Sequence, residues 1–259
     1  MIPKTIPGVS PPIQPDWIPD PEWDPPLPPQ NLIFDDGEPL ETHRHRLAMN
    51  VLIESIYQAW PDRSDFFAGG NMFVYYSEDQ QMNRDFRGPD VFVVLNVDGK
   101  RPRKGWVTWQ EQGRYPDVIV ELISPTTEKA DLGEKKDLYE QTFRTRDYFV
   151  FDPYEPQSLA GWQLNGDSLY QPIVPNPQGW LWSRRLELWL GLWHGEILRE
   201  EADWLRLYRQ DGSLVLLPFE EAQQERQRAE QERQRADQEH QRAERLAERL
   251  RALGLDPEQ

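Results

Sequence analysis

Two apolar segments that each open on a Pro-Asp pair constrain the fold of this chain more than any other feature. The first runs from Pro89 to Leu95 and the second from Pro116 to Ser124. Their β-branched and aromatic side chains predict buried strands. The second segment carries Glu121 inside Val-Ile-Val-Glu-Leu-Ile, and a buried acid is costly unless something pairs with it. The sequence therefore predicts a partner for this carboxylate.

The two-residue period of a strand indicates which acids can meet. Asp117, Ile119 and Glu121 share one face of the second strand. At ~3.3 Å per residue, Asp117 and Glu121 lie ~13 Å apart, too far to share one metal ion. If the two strands are antiparallel, the start of the first lies beside the end of the second, so Asp90 and Glu121 converge. Asp117 then falls at the opposite edge, where a Pro-Asp pair is a common turn device.

A lysine-bearing helix, predicted for 131–143, follows these strands and precedes a strand at 147–152. Asp131, Lys135 and Tyr139 share one helix face at i,i+4 spacing, with Tyr139 expected to pack rather than react. Two acid-bearing strands followed by a lysine can hold a divalent metal beside a phosphate, which predicts a metal-dependent nuclease. A purely structural ion pair between Glu121 and Lys135 is the alternative.

Composition narrows the chemistry that this chain can perform. The 259 residues include no cysteine, which excludes disulfides and thiolate sites and is compatible with the cytoplasm. The four histidines are scattered, so a zinc cluster is not expected, and Mg²⁺ or Mn²⁺ is the predicted metal. His43 and His45 precede a helix and are expected at the surface. No apolar run approaches the ~20 residues needed to cross a bilayer, and we expect no membrane association.

The charge balance argues against nucleic-acid binding, which normally relies on a basic surface. The net charge is −16, of which residues 1–40 carry −6 and residues 219–259 carry −3, so the middle of the chain carries −7. The basic side chains that could form a rim around a nuclease site are Arg84, Arg87, Lys100, Arg101, Arg103 and Lys104. A site without such a rim would favour a catalytically silent protein.

Composition shifts divide the chain into four parts. Residues 1–40 form a Pro-rich arm that we expect to be extended or disordered, since residues 1–29 hold 11 prolines. Residues 41–200 form the main domain, opening on a helix from Glu41 to Trp60 that Thr42 could cap, followed by an aromatic strand over 71–77. Asn165-Gly166-Asp167 predicts a hairpin, and residues 201–218 predict another over Asp211-Gly212.

Residues 219–259 predict a helical tail with a period of seven. Ala222, Ala229, Ala236 and Ala243 recur at one heptad position. Strict heptads favour a coiled coil, and so a homodimer. The stripe is thin, however, because the other seam position holds mostly charged residues, and a lone charged helix held by i,i+4 pairs remains the alternative.

The motifs around these acids resemble one family. They are Gly88-Pro89-Asp90-Val91, the segment from Pro116 to Thr127, Asp131-Leu132-Gly133-Glu134-Lys135 with Tyr139, and Asp147-Tyr148-Phe149 through Asp152-Pro153. They are similar to the Uma-two (Uma2) endonucleases, a family abundant in cyanobacteria that belongs to the PD-(D/E)XK nuclease superfamily. The resemblance covers roughly Glu41 to Leu198.

This resemblance implies an α/β fold with a restriction-endonuclease-like core, in which helices flank a mixed central sheet. Here the core would carry an added β region and the long charged C-terminal helix. The superfamily usually places a lysine two residues after the second acid, where this chain has Ile123. The resemblance implies that the lysine has moved to Lys135, with Lys136 as the fallback.

The implied activity is hydrolysis of phosphodiester bonds, with DNA as the expected substrate. Asp90 and Glu121, with a backbone carbonyl near Leu122, would hold Mg²⁺ or Mn²⁺, and Lys135 would act on the water or the phosphate. Glu54 in the first helix is a further candidate ligand. The alternative function is a silent nuclease-fold scaffold that binds proteins through the Pro-rich arm and the coiled-coil tail.

Overall fold

The computed structural model describes residue 32, residues 42–77 and residues 88–252, without the side chains of residues 250 and 251. Apart from residue 32, the predicted Pro-rich arm lies outside these residues, as does the tail from residue 253 onward. The elements are α1 (His43–Ala59), β1 (Phe66–Gly69), β2 (Val74–Tyr75), β3 (Val91–Leu95), β4 (Trp106–Val107), β5 (Val118–Leu122), α2 (Glu128–Asp131), α3 (Glu134–Leu138), β6 (Asp147–Asp152), β7 (Glu155–Leu164), β8 (Tyr170–Pro172), β9 (Leu181–Ser183), β10 (Leu188–Ile197), β11 (Glu200–Tyr208) and α4 (Pro218–Ala252). A short 3₁₀ turn (Thr108–Gln110) follows β4, and a π-helical turn (Tyr139–Phe143) continues α3.

A six-stranded mixed sheet in the order β1-β3-β5-β6-β7-β8 positions the acid-bearing strands. β3 and β5 are antiparallel, with Val91 opposite Val120, while β5 and β6 are parallel. Continuing this register by one pair places Asp90 opposite Glu121. The antiparallel arrangement and the predicted mixed α/β class are therefore confirmed.

Each face of the central sheet is covered, which explains why β3, β5 and β6 are buried along their whole length. One face packs against α1 and a second sheet in the order β11-β10-β9. The other face holds Phe92, Ile119 and Tyr148 and packs against Tyr139 and Phe143 of the π-helical turn. Glu121 lies two residues after Ile119 on the same strand, so its side chain is on this second face as well.

Helix α1 matches the sequence prediction at both ends. The Thr42 hydroxyl caps the helix by accepting a hydrogen bond from the His45 backbone N–H at 3.2 Å. The helix ends at Ala59, just before Pro61, which cannot continue it. Its buried residues at helical spacing, Leu47, Val51, Leu52 and Ile56 among them, pack against the sheet.

Two elements differ from their predicted form. The strand predicted over residues 71–77 is limited to Val74 and Tyr75, and the edge partner of β3 is instead β1. Asn71 adopts a left-handed conformation (φ 49°), which ends extended pairing there. The helix predicted over 131–143 is broken at Gly133, whose φ of −112° and ψ of −107° are not helical.

The C-terminal part adds a small sheet and a long helix. β11 pairs with β10 from Glu200 to Tyr208, so the hairpin predicted over 201–218 is reduced to one bridge between Tyr208 and Leu214. α4 is 35 residues long and begins at Pro218, the residue type favoured at the first helical position. The heptad coiled coil stays a prediction. In the described part of the chain, no helix is both long and apolar enough to span a bilayer.

Candidate active site

The carboxylates of Asp90 and Glu121 meet where β3 begins and β5 ends. The backbone N–H of Asp90 donates to Glu121 Oε2 at 3.3 Å, and the backbone N–H of Leu122 donates to Asp90 Oδ2 at 2.8 Å. Each acid is thus held by the backbone of the opposite strand. The structure places these two predicted residues side by side.

Glu121 is fully buried, with an exposed fraction of 0%, and three donors account for its stability there. Besides the Asp90 N–H, the Tyr139 hydroxyl donates to Glu121 Oε1 at 2.7 Å, and Lys135 Nζ lies 3.4 Å from the same oxygen. Burial of a carboxylate is tolerated when charge-assisted hydrogen bonds replace its hydration. The partner that the sequence predicts for Glu121 is therefore supplied by two side chains, Lys135 and Tyr139.

Asp131 holds the lysine from the other side. Its Oδ1 lies 2.6 Å from Lys135 Nζ, and its side chain is only 2% exposed. The Tyr148 hydroxyl donates to the Asp131 backbone carbonyl at 2.7 Å, which fixes the end of α2 against β6. The i,i+4 pair thus persists although Gly133 breaks the helix between its members.

Burial and neighbouring charges shift the pKa values of three groups in this cluster. Burial, and then the charge of Glu121, raise the pKa of Asp90 well above its ordinary value. Burial and Glu121 also raise the pKa of Tyr139, so it stays a neutral donor. Burial alone would lower the pKa of Lys135, but the charges of Glu121 and Asp131 outweigh it and raise that pKa, so the ammonium stays protonated at neutral pH.

The donor set of this cluster suits a hard divalent cation. Mg²⁺ is usually bound through one or two carboxylates, with waters and substrate phosphates completing its shell. Asp90 and Glu121 supply two carboxylates, and their mutual repulsion favours a cation between them. The Leu122 N–H points to Asp90, and its carbonyl points to the same side, since both groups of a strand residue face one neighbour. Within residues 42–77 and 88–252, no group of three or more His, Asp and Glu side chains is arranged to hold a metal.

The other predicted residues lie away from this cluster. Asp117 is at the opposite end of β5, where it accepts hydrogen bonds from the Leu95 N–H at 2.8 Å and from Arg185 at 2.7 Å. Glu54 is exposed on α1. Lys136 lies over the ring of Trp162, with Nζ 4.2 Å from the ring centroid.

Three residues of the site region were missed or misjudged at the sequence level. Asp131 and Tyr139 bind Lys135 and Glu121 directly, and their shared spacing with Lys135 was the available signal. His45 is not at the surface: it is 5% exposed, and its Nε2 lies 3.3 Å from the Ile123 carbonyl oxygen. Its position three residues before Ala48 on the apolar face of α1 was the signal for burial.

The basic loop that could have bordered the site lies at the other end of the sheet. It begins after Leu95, and its Val97 and Gly99 N–H groups donate to Asp65 and Ser64, just before β1. Within it, Arg103 is bound by both carboxylate oxygens of Glu111 at 2.9 and 3.0 Å. The remaining candidates, Arg84 and Arg87, lie outside the described residues.

Basic residues at the Glu121 end come from other elements. The start of α1, which contacts Ile123 through His45, carries His43, Arg44 and Arg46, and α2 carries Lys129. Arg44 is paired with Glu200 at 2.5 Å, while Arg46 contacts the His43 ring at 3.0 Å. Because Glu200 neutralises Arg44, these residues do not replace the predicted basic rim.

A mixed α/β fold that carries two adjoining carboxylates beside a lysine is the arrangement that the sequence resemblance implies for a nuclease. The chain belongs to the Uma2 family, described as "Putative restriction endonuclease", which matches residues 26–198. A solved structure described as "a putative nuclease belonging to DUF820" from Anabaena variabilis ATCC 29413 is 14% identical, with a TM-score of 0.40, over 57% of this chain and 76% of that chain. No curated protein matches the chain. The family resemblance noted in the sequence is thus confirmed.

Proposed function

We propose that the protein is a metal-dependent endonuclease that hydrolyses phosphodiester bonds of DNA. The observation that carries this proposal is the meeting of the Asp90 and Glu121 carboxylates beside the Lys135 ammonium. Membership of the Uma2 family supports nuclease activity in general. The metal and the roles of the residues are our inference from the geometry, and DNA is the substrate that the sequence resemblance implies.

Asp90, Glu121 and the Leu122 carbonyl would hold Mg²⁺ or Mn²⁺. A bound cation of this kind supplies a water of lowered pKa and neutralises charge on a phosphate. The raised pKa of Asp90 supports a cation here, because burial and then the charge of Glu121 both disfavour the uncompensated carboxylate, which a bound cation would stabilise.

Lys135 and Tyr139 take different parts in this scheme. Because the neighbouring carboxylates keep Lys135 protonated, it cannot accept a proton from water, and its role is to stabilise negative charge on the phosphoryl oxygens. Tyr139 is a positioning residue, since its hydroxyl fixes Glu121 Oε1.

Pairing of two chains through α4 would relate two sites by a twofold axis, as cleavage of both DNA strands requires.

The catalytically silent scaffold is the second candidate, and two observations favour it. Lys135 is already bound to both Asp131 and Glu121, so an ion-pair network accounts for all three residues without a reaction. The acidic chain, with a net charge of −16, points the same way. The two functions differ in whether a divalent cation binds and whether DNA is cut.

The test is nicking of supercoiled plasmid with Mg²⁺ or Mn²⁺ by wild type, Glu121→Gln and Lys135→Ala. We expect each variant to lose at least ~100-fold in rate, the usual effect of removing one group that stabilises transition-state charge. The matched controls are Glu54→Gln, which makes the same substitution at an exposed glutamate of α1, and Lys136→Ala, which removes the lysine next to Lys135 on α3. Both should keep wild-type rates.

A second measurement separates metal binding from activity. Calorimetric titration with Mn²⁺ should show binding to wild type and to Glu54→Gln, and greatly weakened binding to Glu121→Gln. Absence of both Mn²⁺ binding and nicking in the wild type would refute the endonuclease and favour the scaffold. Nicking that survives undiminished in Glu121→Gln and Lys135→Ala would place the active site elsewhere.

A further inference from the structure

Two acids at the far end of the sheet from the candidate active site hold one turn in place. Asp147 begins β6 and is 1% exposed; it accepts hydrogen bonds from the Ser183 hydroxyl at 2.6 Å and from the Arg185 N–H at 2.9 Å. Asp117, just before β5, accepts from Arg185 Nη2 at 2.7 Å. The turn between β9 and β10 is therefore fixed by buried or partly buried carboxylates.

This turn forms one wall of a pocket of about 230 Å³ that is lined by three arginines. Arg184 and Arg185 come from the turn, and Arg63 comes from the segment after α1. The Arg63 guanidinium is held over the Trp60 ring, 4.4 Å from its centroid. Glu187 is the acid that lines the same pocket. We call this feature the arginine pocket.

Much of the hydrogen-bonding capacity of these arginines is uncommitted. Each guanidinium carries five N–H donors. Arg63 gives Nε and Nη2 to Asp65 at 2.8 and 3.2 Å, which leaves Nη1. Arg185 Nε is buried without an acceptor, and Arg184 forms no ion pair, within the part of the chain that the structure describes.

We propose that the arginine pocket binds a phosphate group. The planar guanidinium fork matches phosphate oxygens in pairs, and a buried donor without an acceptor is costly unless a ligand satisfies it. The volume accommodates a tetrahedral anion with several waters, each of which occupies ~30 Å³. Three arginines line this pocket together with one acid, Glu187.

The arginine pocket is separate from the candidate active site. Asp117 and Glu121 are four residues apart on β5, which corresponds to ~13 Å. The pocket therefore does not depend on the proposed nuclease activity. Its phosphate could belong to a nucleic-acid backbone or to a free phosphate or phosphate monoester, and these sources share the same chemistry.

The test is calorimetric titration of the full chain with inorganic phosphate, without divalent cations and at low salt. Arg184→Gln removes an exposed arginine of the pocket, and Arg228→Gln removes the same charge from the exposed face of α4. We expect wild type and Arg228→Gln to bind phosphate equally, and Arg184→Gln to bind at least tenfold more weakly. Equal affinity in the two variants, or no binding to the wild type, would overturn the proposal.

A competition arm distinguishes the sources. A short DNA oligonucleotide without terminal phosphates is added to the wild type at saturating inorganic phosphate. Displacement of the phosphate, lost again in Arg184→Gln, identifies a nucleic-acid backbone as the ligand. Phosphate that stays bound identifies a free phosphate or a monoester. Neither arm involves cleavage, so a failure of the nuclease proposal leaves this result unaffected.

Discussion

Replacing Asp90 by Asn should make the protein more stable at neutral pH while removing its proposed activity. Asn keeps the size of the side chain and an oxygen that can accept the Leu122 N–H. The substitution also removes the carboxylate charge of Asp90, which lies beside that of Glu121. Proteins often hold such destabilising charge at functional sites, so that losing the function increases stability.

The magnitude follows from proton linkage. The pKa of Asp90 in the folded protein is raised above 3.8, first by burial and then by the charge of Glu121. Between 3.8 and that raised value, the folded protein keeps a proton that the unfolded chain has released. The stabilising contribution of the protonated form is therefore complete below the unfolded pKa and is lost as the pH rises through the folded pKa, at up to ~1.4 kcal/mol per pH unit.

The assay is urea unfolding in the presence of a chelator, at pH values from about 4.5 to about 8.5. We expect the free energy of unfolding of the wild type to fall relative to that of Asp90→Asn across the window, and the difference to become constant above the raised pKa. The control is Asp167→Asn, which changes an exposed acid in the turn between β7 and β8. If wild type and Asp90→Asn run parallel throughout, neither burial nor Glu121 raises the pKa of Asp90, and our account of the site fails.

Two further substitutions test contacts around the site and the tail. Tyr139→Phe removes the hydroxyl that donates to Glu121 at 2.7 Å, and a buried carboxylate short of one donor should reduce the free energy of unfolding by about 1–3 kcal/mol, measured in urea. Glu220→Ala leaves the fully buried Arg206 without its partner at 2.6 Å and should cost about 3–5 kcal/mol. Glu221→Ala, at an exposed neighbouring position, should change stability by less than about 0.5 kcal/mol. A loss as large in Glu221→Ala would show that helix formation rather than the buried pair is responsible.

The meeting of Asp90 and Glu121 could be predicted because it depends on the two-residue period of a strand, which is local, and on an assumed antiparallel pairing. That pairing joins residues 31 positions apart, and only the structure establishes it. The burial of His45 could not be concluded so readily, since a histidine near the start of a helix resembles a surface residue until its contact with Ile123 is known. The role of Asp117 depends on Arg185, which lies 68 residues later in the chain. No local pattern connects them, and only the folded sheet brings them together.

The same limit applies to the backbone around the lysine. The i,i+4 spacing of Asp131, Lys135 and Tyr139 predicted that they would share a direction, and they do. It did not predict the break at Gly133, because glycine in a helical pattern is often tolerated. The backbone of Lys129 lies too close to Gly133 for a side chain there. A Cβ on Gly133 would lie 2.8 Å from the Lys129 carbonyl oxygen, so a side chain would force the two short helices apart.

The number of residues in the π-helical turn after α3 determines the direction in which Lys135 points. Tyr139 and Phe143, at the two ends of this turn, are both buried, while Lys135 one turn earlier reaches Glu121. Such turns behave as a single added residue in an α-helix and frequently occur at functional sites. Deleting one residue between Tyr139 and Phe143 would restore ordinary winding and rotate everything before it by about 100° relative to the core. Phe143 would keep its place in the aromatic core, and the Lys135 ammonium would turn away from Glu121 without any change to its own side chain.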